Sequence, residues 1–171
     1  MTKSFPEQGH DGPYAAPLIV RDQIVRPEWI DYNGHMNVGY YGIAFDQAID
    51  KVFDHELGIG TEFIKSEGQG PYVLQSHMQF LQELLEGQKF DVQFRLIDHD
   101  HKRLHFFGEM MRQPDGVVCA IQEIVAMNVD HETARSTAYP DWAQRRFSRM
   151  LSDHKAMARP RQLGASLGLR R

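Results

Sequence analysis

The chain has 171 residues, of which 42% are hydrophobic and 25% are charged, and its net charge is −4 at pH 7. This length and composition fit one soluble domain that buries its own core. No stretch approaches the roughly 20 apolar residues of a membrane span, and the single cysteine, Cys119, excludes an internal disulfide. Residues 1–17 lack the apolar segment of a secretory signal, so we expect a cytoplasmic protein with no membrane partner.

Charge is distributed unevenly along the chain. Residues 145–171 carry eight bases and one acid, a local charge of +7, whereas the rest carries 11 bases and 22 acids, a charge of −11. An acidic body argues against a nucleic-acid-binding core, so the sequence predicts no nucleic-acid partner. The basic tail is interpreted as a solvated helix face and a loose terminus, with local phosphate contacts as the alternative.

The first predicted elements follow from turn residues and clusters of β-branched residues. Residues 1–17 are rich in Gly and Pro, and we expect them to be disordered or to lie on the surface. Residues 18–30 are typical of a first strand, in which Pro27 marks an edge or a bend. Residues 31–34 predict a turn, because their Asn-Gly pair accepts left-handed backbone angles.

A long helix is predicted over residues 38–57. Apolar residues recur there at helical spacing, with Asn37 as a suitable N-cap and Gly58 as a suitable left-handed residue after the C-terminus. At 1.5 Å per residue, this helix is roughly 30 Å long and could cross a small domain. A short helix is expected over residues 62–67.

The remainder of the chain is predicted to be mostly β. Strands are expected over residues 72–85, 90–96, 103–113 and 117–129, with a helix as the alternative for the first of these. Residues 114–116, Pro-Asp-Gly, predict the hairpin turn between the last two strands. A final helix is expected over residues 142–157.

This order of elements predicts an α+β fold. Strands joined by short turns pair antiparallel, so we expect one long helix packed against one antiparallel sheet. The other face and the edges of such a sheet need cover, which favours an oligomer. We expect three parts: an N-terminal segment (1–17), the main domain (18–140), and a C-terminal helix with its basic tail (141–171).

The densest polar cluster outside the strands lies directly before the long helix. It contains a carboxylate, Asp31, two amides, Asn33 and Asn37, and an imidazole, His35. A helix N-terminus offers unpaired N–H groups and the positive end of the helix dipole, which can polarise a carbonyl or hold an oxyanion. The cluster therefore indicates a catalytic site, with a well-capped turn as the structural alternative.

This cluster also resembles the signature of a known family. The pattern Asp31-x-Asn33-Gly34-His35-x-Asn37, followed by Tyr40 and Tyr41, is similar to that of hot-dog-fold acyl thioesterases, and most similar to the 4-hydroxybenzoyl-CoA thioesterase-like family. The pattern also resembles the motif of plant acyl-ACP thioesterases. The resemblance implies a hot-dog fold, a long helix wrapped by an antiparallel sheet, over residues 18–130.

The resemblance implies roles for individual residues. Asp31 lies where the family places the carboxylate that attacks the thioester or activates water. The backbone N–H groups near Val38 and Gly39 lie where the family polarises the thioester carbonyl. Asn33 and His35 match positions that hold substrate and water or assist proton transfer in the plant-type motif.

The resemblance also implies an acyl-CoA substrate and a homodimer with active sites at its interface, or a dimer of dimers. A thiolate leaves easily, so we expect no metal and no other cofactor. Nearby aromatic side chains would suit an aryl acyl group or a quaternary ammonium group, since some relatives act on betainyl-CoA. The candidate substrate-binding residues are Asn37, Tyr40, Tyr41 and His77, with core packing as the alternative for Tyr41.

Other interpretations of the sequence stay open. His99, His101 and His105 have spacing that permits a metal site, but a charged turn is the favoured interpretation of that segment. The alternative functions are those of a dehydratase or hydratase of the same fold and of a non-catalytic acyl-CoA-binding protein. The order Asp-x-Asn-Gly-His favours the thioesterase, and a thiol-release assay separates it from a binding protein.

Overall fold

The computed structural model of the chain describes residues 9–169. In this part of the chain, six strands form one antiparallel sheet in the order β1-β3-β4-β5-β2, with the short β6 paired to β5. The strands are β1 (Leu18–Ile24), β2 (Gln69–Phe80), β3 (Lys89–His99), β4 (Arg103–Arg112), β5 (Val118–Asp130) and β6 (Arg135–Ser136). The predicted α+β architecture is confirmed.

The long helix begins and ends where the sequence predicted. Helix α1 (Val38–Lys51) continues as a π-helical turn over Val52–Leu57, and Gly58 follows in the left-handed conformation with φ of 70°. The Asn37 side chain caps α1 by accepting the Gly39 N–H. Glycine at Gly58 stops the helix at little steric cost, because it has no Cβ.

Two further helices complete the fold. Helix α2 (Thr61–Glu67) lies close to the predicted residues 62–67, and α3 (Asp141–His154) ends three residues before the predicted residue 157. Helix α3 packs beside β3, where the ring of His154 accepts the Leu96 N–H at 2.9 Å. Every helix between residues 9 and 169 is too short or too polar to span a lipid bilayer.

The core lies between α1 and one face of the sheet. Phe45 of α1 meets Phe94 edge to face, with ring centroids 6.3 Å apart. Phe53 of the π-helical turn meets Phe106 in the same way, with ring centroids 6.2 Å apart. Gly108 of β4 makes this packing possible, since a Cβ there would lie 2.7 Å from the Phe94 ring. The helix therefore crosses the sheet at close range, with its N-terminus held at one border.

Residues after α3 cross the opposite face of the sheet. The Gly164 N–H donates to Glu123 Oε2 at 2.8 Å, and the Arg95 guanidinium donates to the Ala158 carbonyl at 2.5 Å. Glu123 and Arg95 alternate along β5 and β3 with side chains that face α1. The C-terminal tail is thus held to the sheet at two points, while its described bases stay exposed.

Residues 9–17 also pack on the domain. Tyr14 is buried, and its N–H donates to Asp153 Oδ2 on α3 at 2.8 Å. The His10 N–H donates to the Glu56 carbonyl at 3.0 Å. Residues 1–8, the rest of the predicted N-terminal segment, lie outside the described residues.

Two strands end earlier in the structure than the sequence predicted. β1 ends at Ile24 rather than at residue 30, and Pro27–Trp29 forms a short 3-10 turn instead, since Pro27 has no N–H to give to a sheet. β2 ends at Phe80 rather than at residue 85, because the N–H groups of Leu81 and Gln82 both turn to the Cys119 carbonyl. The sequence did not predict β6, which has only two residues.

Candidate active site

The loop before α1 is a compact turn closed by backbone hydrogen bonds. Ile30 and Met36 pair as an isolated β-bridge, and the Asp31 N–H donates to the His35 carbonyl at 3.1 Å. The Gly34 N–H returns to the Asp31 carbonyl at 3.0 Å, and Gly34 has a φ of 81°. The predicted turn is therefore confirmed, and glycine at this position supplies the left-handed geometry that it needs.

The Asp31 carboxylate is held by two donors of this loop. Oδ1 accepts the Asn33 N–H at 2.8 Å, and Oδ2 accepts the Asn37 side-chain N–H at 3.3 Å. The side chain is only partly exposed. Since each carboxylate oxygen can accept a further hydrogen bond, Asp31 can still take a proton from a bound water molecule.

The N-terminus of α1 lies directly beside this carboxylate. Asn37 Oδ1 accepts the Gly39 N–H at 3.0 Å, and the Asn37 carbonyl accepts the Tyr40 N–H at 3.0 Å. Val38 is the first residue of the helix, so helix geometry gives its N–H no carbonyl one turn earlier. The sequence singled out the backbone N–H groups of Val38 and Gly39. The Asn37 cap takes the Gly39 N–H and does not use the Val38 N–H.

The remaining motif residues are placed differently from one another. His35 is half-buried, and its Nδ1 lies 3.3 Å from the Met36 carbonyl. Asn33 is exposed, and it meets Asp31 through its backbone N–H. The structure thus brings Asp31, His35, Asn37 and Val38 to one border of the sheet, with Asn33 on the solvent side.

A pocket of about 310 Å³ opens beside this helix N-terminus. Most of its wall is apolar, and it is lined by His35, Met36, Val38, Tyr41, Phe80, Leu81, Gln82 and Glu83. Apolar pockets with a few polar groups are the usual form of small-ligand sites. The pocket joins the motif to a wall built by the chain that follows β2.

The two predicted tyrosines have different surroundings. Tyr41 is buried in the core and lines the pocket, and its hydroxyl accepts the Leu84 N–H at 3.2 Å. Tyr40 is half-buried and stacks on Trp29, with ring centroids 5.5 Å apart. Tyr41 therefore serves both the core and the pocket wall, while Tyr40 supports the loop.

His77 lies away from this cluster. Phe80 contacts Tyr41 of α1, and Met78 packs on the core, so alternation along β2 places His77 on the opposite face of the sheet. Its cross-strand neighbour there is Glu123 of β5. The structure does not bring His77 and Asp31 together within one protomer, and a substrate-binding role for His77 stays a prediction.

The histidine-rich segment makes local polar contacts. His105 Nε2 lies 2.8 Å from Glu123 Oε1, and His99 Nε2 lies 3.3 Å from the Ser148 hydroxyl. Between residues 9 and 169, no group of three or more His, Cys, Asp or Glu side chains is arranged to share a metal ion.

Sequence reasoning missed the far wall of the pocket, from Phe80 to Glu83. These residues were assigned to the end of a strand, in which alternate side chains would point to opposite faces. The chain leaves the sheet here because the N–H groups of Leu81 and Gln82 bond to the Cys119 carbonyl of another strand. The one local signal was the pair of consecutive polar residues Gln82 and Glu83, at which the alternation of a strand breaks.

Comparisons with known proteins agree with this geometry. Residues 25–147 match the model of the Thioesterase-like superfamily. The chain is 30% identical to a betainyl-CoA thioesterase of Pseudomonas aeruginosa over 152 residues, which cover 89% of this chain and 95% of that protein.

Solved structures with the same fold include proteins related to CoA. A hypothetical protein of Staphylococcus aureus in complex with CoA is 26% identical and covers 90% of this chain and 96% of that chain, with a TM-score of 0.81. A DHNA-CoA thioesterase of the same species has a TM-score of 0.71 at 16% identity and covers 83% of this chain and 97% of that chain. The hot-dog fold that the motif implied is confirmed.

Proposed function

Because the chain belongs to the Thioesterase-like superfamily and is a thioester hydrolase, we propose that it cleaves an acyl-CoA at the Asp31 cluster. The observation that carries this proposal is the hydrogen bond from Asn37 to Asp31, since Asn37 also caps α1. It holds a carboxylate beside the positive end of a helix, where water can attack a polarised carbonyl.

In the proposed reaction, Asp31 takes a proton from water while the water oxygen bonds to the thioester carbon. The carbonyl oxygen becomes an oxyanion and accepts the Val38 N–H. The carbon–sulfur bond then breaks, and the CoA thiolate leaves and takes up a proton. The products are the free acid and CoA, and no metal is needed because the thiolate is a good leaving group.

Direct attack by Asp31 on the thioester is the alternative, and it passes through a mixed anhydride. A single turnover in water labelled with ¹⁸O identifies direct attack when water opens the anhydride at the Asp31 carbonyl carbon. The base route, like water attack at the acyl carbon of the anhydride, puts the label in the acid product in the first turnover. Attack by Asp31, followed by water attack at the Asp31 carbonyl carbon, gives an unlabelled acid and a labelled protein.

Within this reaction, we assign supporting roles to four residues of the loop and the first turn of α1. His35 lines the pocket and is suited to protonate the leaving thiolate or to orient water. Asn37 positions Asp31, and Asn33 holds the carboxylate through its backbone N–H. Gly39 takes part through the cap that its N–H forms with Asn37.

A cationic acyl group of betainyl size is the proposed substrate. The 30% identical relative is a betainyl-CoA thioesterase, and 95% of its length is covered, which supports a small acyl group bearing a quaternary ammonium. The pocket wall contains aromatic side chains and no lysine or arginine, which is consistent with a cation. An aryl acyl group is the competing substrate.

A homodimer is proposed for the complete site. β2 is an edge strand of 12 residues, and Tyr72, Val73 and Leu74 at one end of it are each about half exposed. A long apolar edge is a ready template for pairing with a second copy. Sedimentation velocity should give twice the monomer mass of 19.7 kDa, or four times that mass if dimers pair.

The test of the proposed function is a thiol-release screen over betainyl-, acetyl-, benzoyl- and palmitoyl-CoA. We expect release of CoA from at least one of them, fastest with betainyl-CoA. Binding of these esters without thiol release by the folded protein would identify a non-catalytic acyl-CoA-binding protein and reject the proposal.

A further inference from the structure

The wall of the pocket beside α1 carries negative charge and no fixed positive charge. Among its eight lining residues, Glu83 is the one carboxylate, His35 is the one imidazole, and none is lysine or arginine. Asp31 adds a second carboxylate at the neighbouring turn. An acyl group that enters here therefore meets negative charge and no fixed positive charge on the wall.

The segment that carries Glu83 is held in place on both sides. The N–H groups of Leu81 and Gln82 donate to the Cys119 carbonyl at 2.7 and 3.0 Å. After Glu83, the Leu84 N–H donates to the Tyr41 hydroxyl, and its carbonyl accepts the Met36 N–H at 2.8 Å. Leu84 itself is fully buried, so the backbone at Glu83 is anchored to β5, to α1 and to the motif loop.

Two aromatic rings complete the wall. Phe80 and Tyr41 meet edge to face, with ring centroids 5.2 Å apart. Phe80 is 47% exposed, so much of its ring surface stays open to a ligand. Burial is the main reason that the pKa of Tyr41 is raised, and the negative charge of Glu83 raises this pKa as well. The Tyr41 phenol therefore stays neutral near pH 7.

We propose that Glu83 and Phe80 determine substrate specificity by recognising the quaternary ammonium of a cationic acyl group. This inference rests on the proposed function. The ring face of Phe80 attracts the cation, and the Glu83 carboxylate supplies the counter-charge at the rim of the pocket. A quaternary ammonium has no N–H to donate, so an aromatic face and a nearby carboxylate are the groups that distinguish it from a neutral acyl group of equal shape.

The matched probes are betainyl-CoA and 3,3-dimethylbutyryl-CoA, which have the same shape and differ by one charge at the branched atom. We expect wild-type protein to favour betainyl-CoA in kcat/KM. The substitution Glu83→Gln should reduce that preference about fivefold, the scale of one partly exposed ion pair, mainly through KM. Phe80→Leu should reduce it by a similar factor, because the ring face is lost.

Glu86→Gln is the matched control, since Glu86 is an exposed carboxylate three residues away that does not line the pocket. It should leave the preference unchanged. An unaltered preference in folded Glu83→Gln protein, or equal use of both esters by the wild type, would overturn the inference while leaving the thioesterase function in place.

Binding separates the inference from the proposed function. S-alkyl ethers of CoA that carry a 2-(trimethylammonio)ethyl or a 3,3-dimethylbutyl group cannot be hydrolysed. We expect calorimetry to show tighter binding of the cationic ether, with the preference reduced in Glu83→Gln. The preference for the cationic ether is expected even if none of the esters releases thiol. A lack of thiol release would reject the proposed function but not the charge recognition. Equal binding of the two ethers would reject the charge recognition.

Discussion

Asn37 links Asp31 to the N-terminus of α1. Its Nδ2 donates to Asp31 Oδ2 at 3.3 Å, and its Oδ1 accepts the Gly39 N–H at 3.0 Å. A single side chain therefore sets the distance between the proposed base and the proposed oxyanion donor. Any shift of the cap moves both groups relative to the substrate, so stability of the helix end and turnover are coupled here.

Replacing Asp31 tests the proposed base directly. We expect Asp31→Asn to lower kcat by about 10²-fold or more, because an amide cannot take a proton from water, while circular dichroism and thermal unfolding change little. Asp46→Asn, at an exposed aspartate on α1, is the control and should keep full activity. Full turnover in Asp31→Asn would remove this residue from the mechanism.

Two substitutions at Asn37 separate its two hydrogen bonds. Asn37→Ser keeps an N-cap oxygen but loses the donor to Asp31, so we expect near-normal stability and reduced kcat. Asn37→Ala loses both bonds and should also cost about 1 kcal/mol in the free energy of unfolding. Urea denaturation and thiol release measure the two effects. Normal kcat in Asn37→Ser would show that the contact with Asp31 has no positioning role.

Two glycines should respond in opposite directions to the same substitution. Gly108→Ala places a Cβ 2.7 Å from the Phe94 ring, and this overpacking should lower the free energy of unfolding by about 1–3 kcal/mol. In Gly42→Ala on α1, the new Cβ meets only the Met78 methyl, at 3.6 Å. This substitution should raise the free energy of unfolding by up to about 1 kcal/mol, because alanine favours helix. Equal effects at the two sites would argue against the close approach of α1 and β4.

Stability should fall in mild acid through His154. This buried ring accepts the Leu96 N–H at Nδ1 and bonds the Ala15 carbonyl at Nε2, both at 2.9 Å. Burial lowers the pKa of His154 below its usual 6.5, so the unfolded chain takes up the proton more readily. The stabilisation is complete above pH 6.5 and is lost as the pH falls through the pKa of the folded protein.

The variant His154→Gln isolates that effect. Glutamine can still accept one hydrogen bond and donate another, but it does not titrate. We expect it to be less stable at pH 7.5 and to lose less stability between pH 7.5 and 5.5 than the wild type does in urea denaturation. An equally steep loss in both proteins would assign the acid sensitivity to other groups.

The long helix and the turn before it were predictable because their signals are local. Asn37, the periodic apolar residues and Gly58 are read along one stretch of chain, and each acts within a few residues of its own position. The same holds for the left-handed Gly34. The end of β2 at Phe80 was not predictable in this way, because the Cys119 carbonyl of β5 decides it.

The sequence by itself determined the Asp31 motif, the capped helix that follows it and the antiparallel class of the sheet. Each of these depends on side-chain chemistry or periodicity within one short segment. Only the tertiary structure decided that His77 lies on the far face and that Glu83 joins Phe80 at the pocket. Those outcomes depend on strand register and on contacts between segments more than 40 residues apart, such as Tyr41 with Leu84, which no local pattern records.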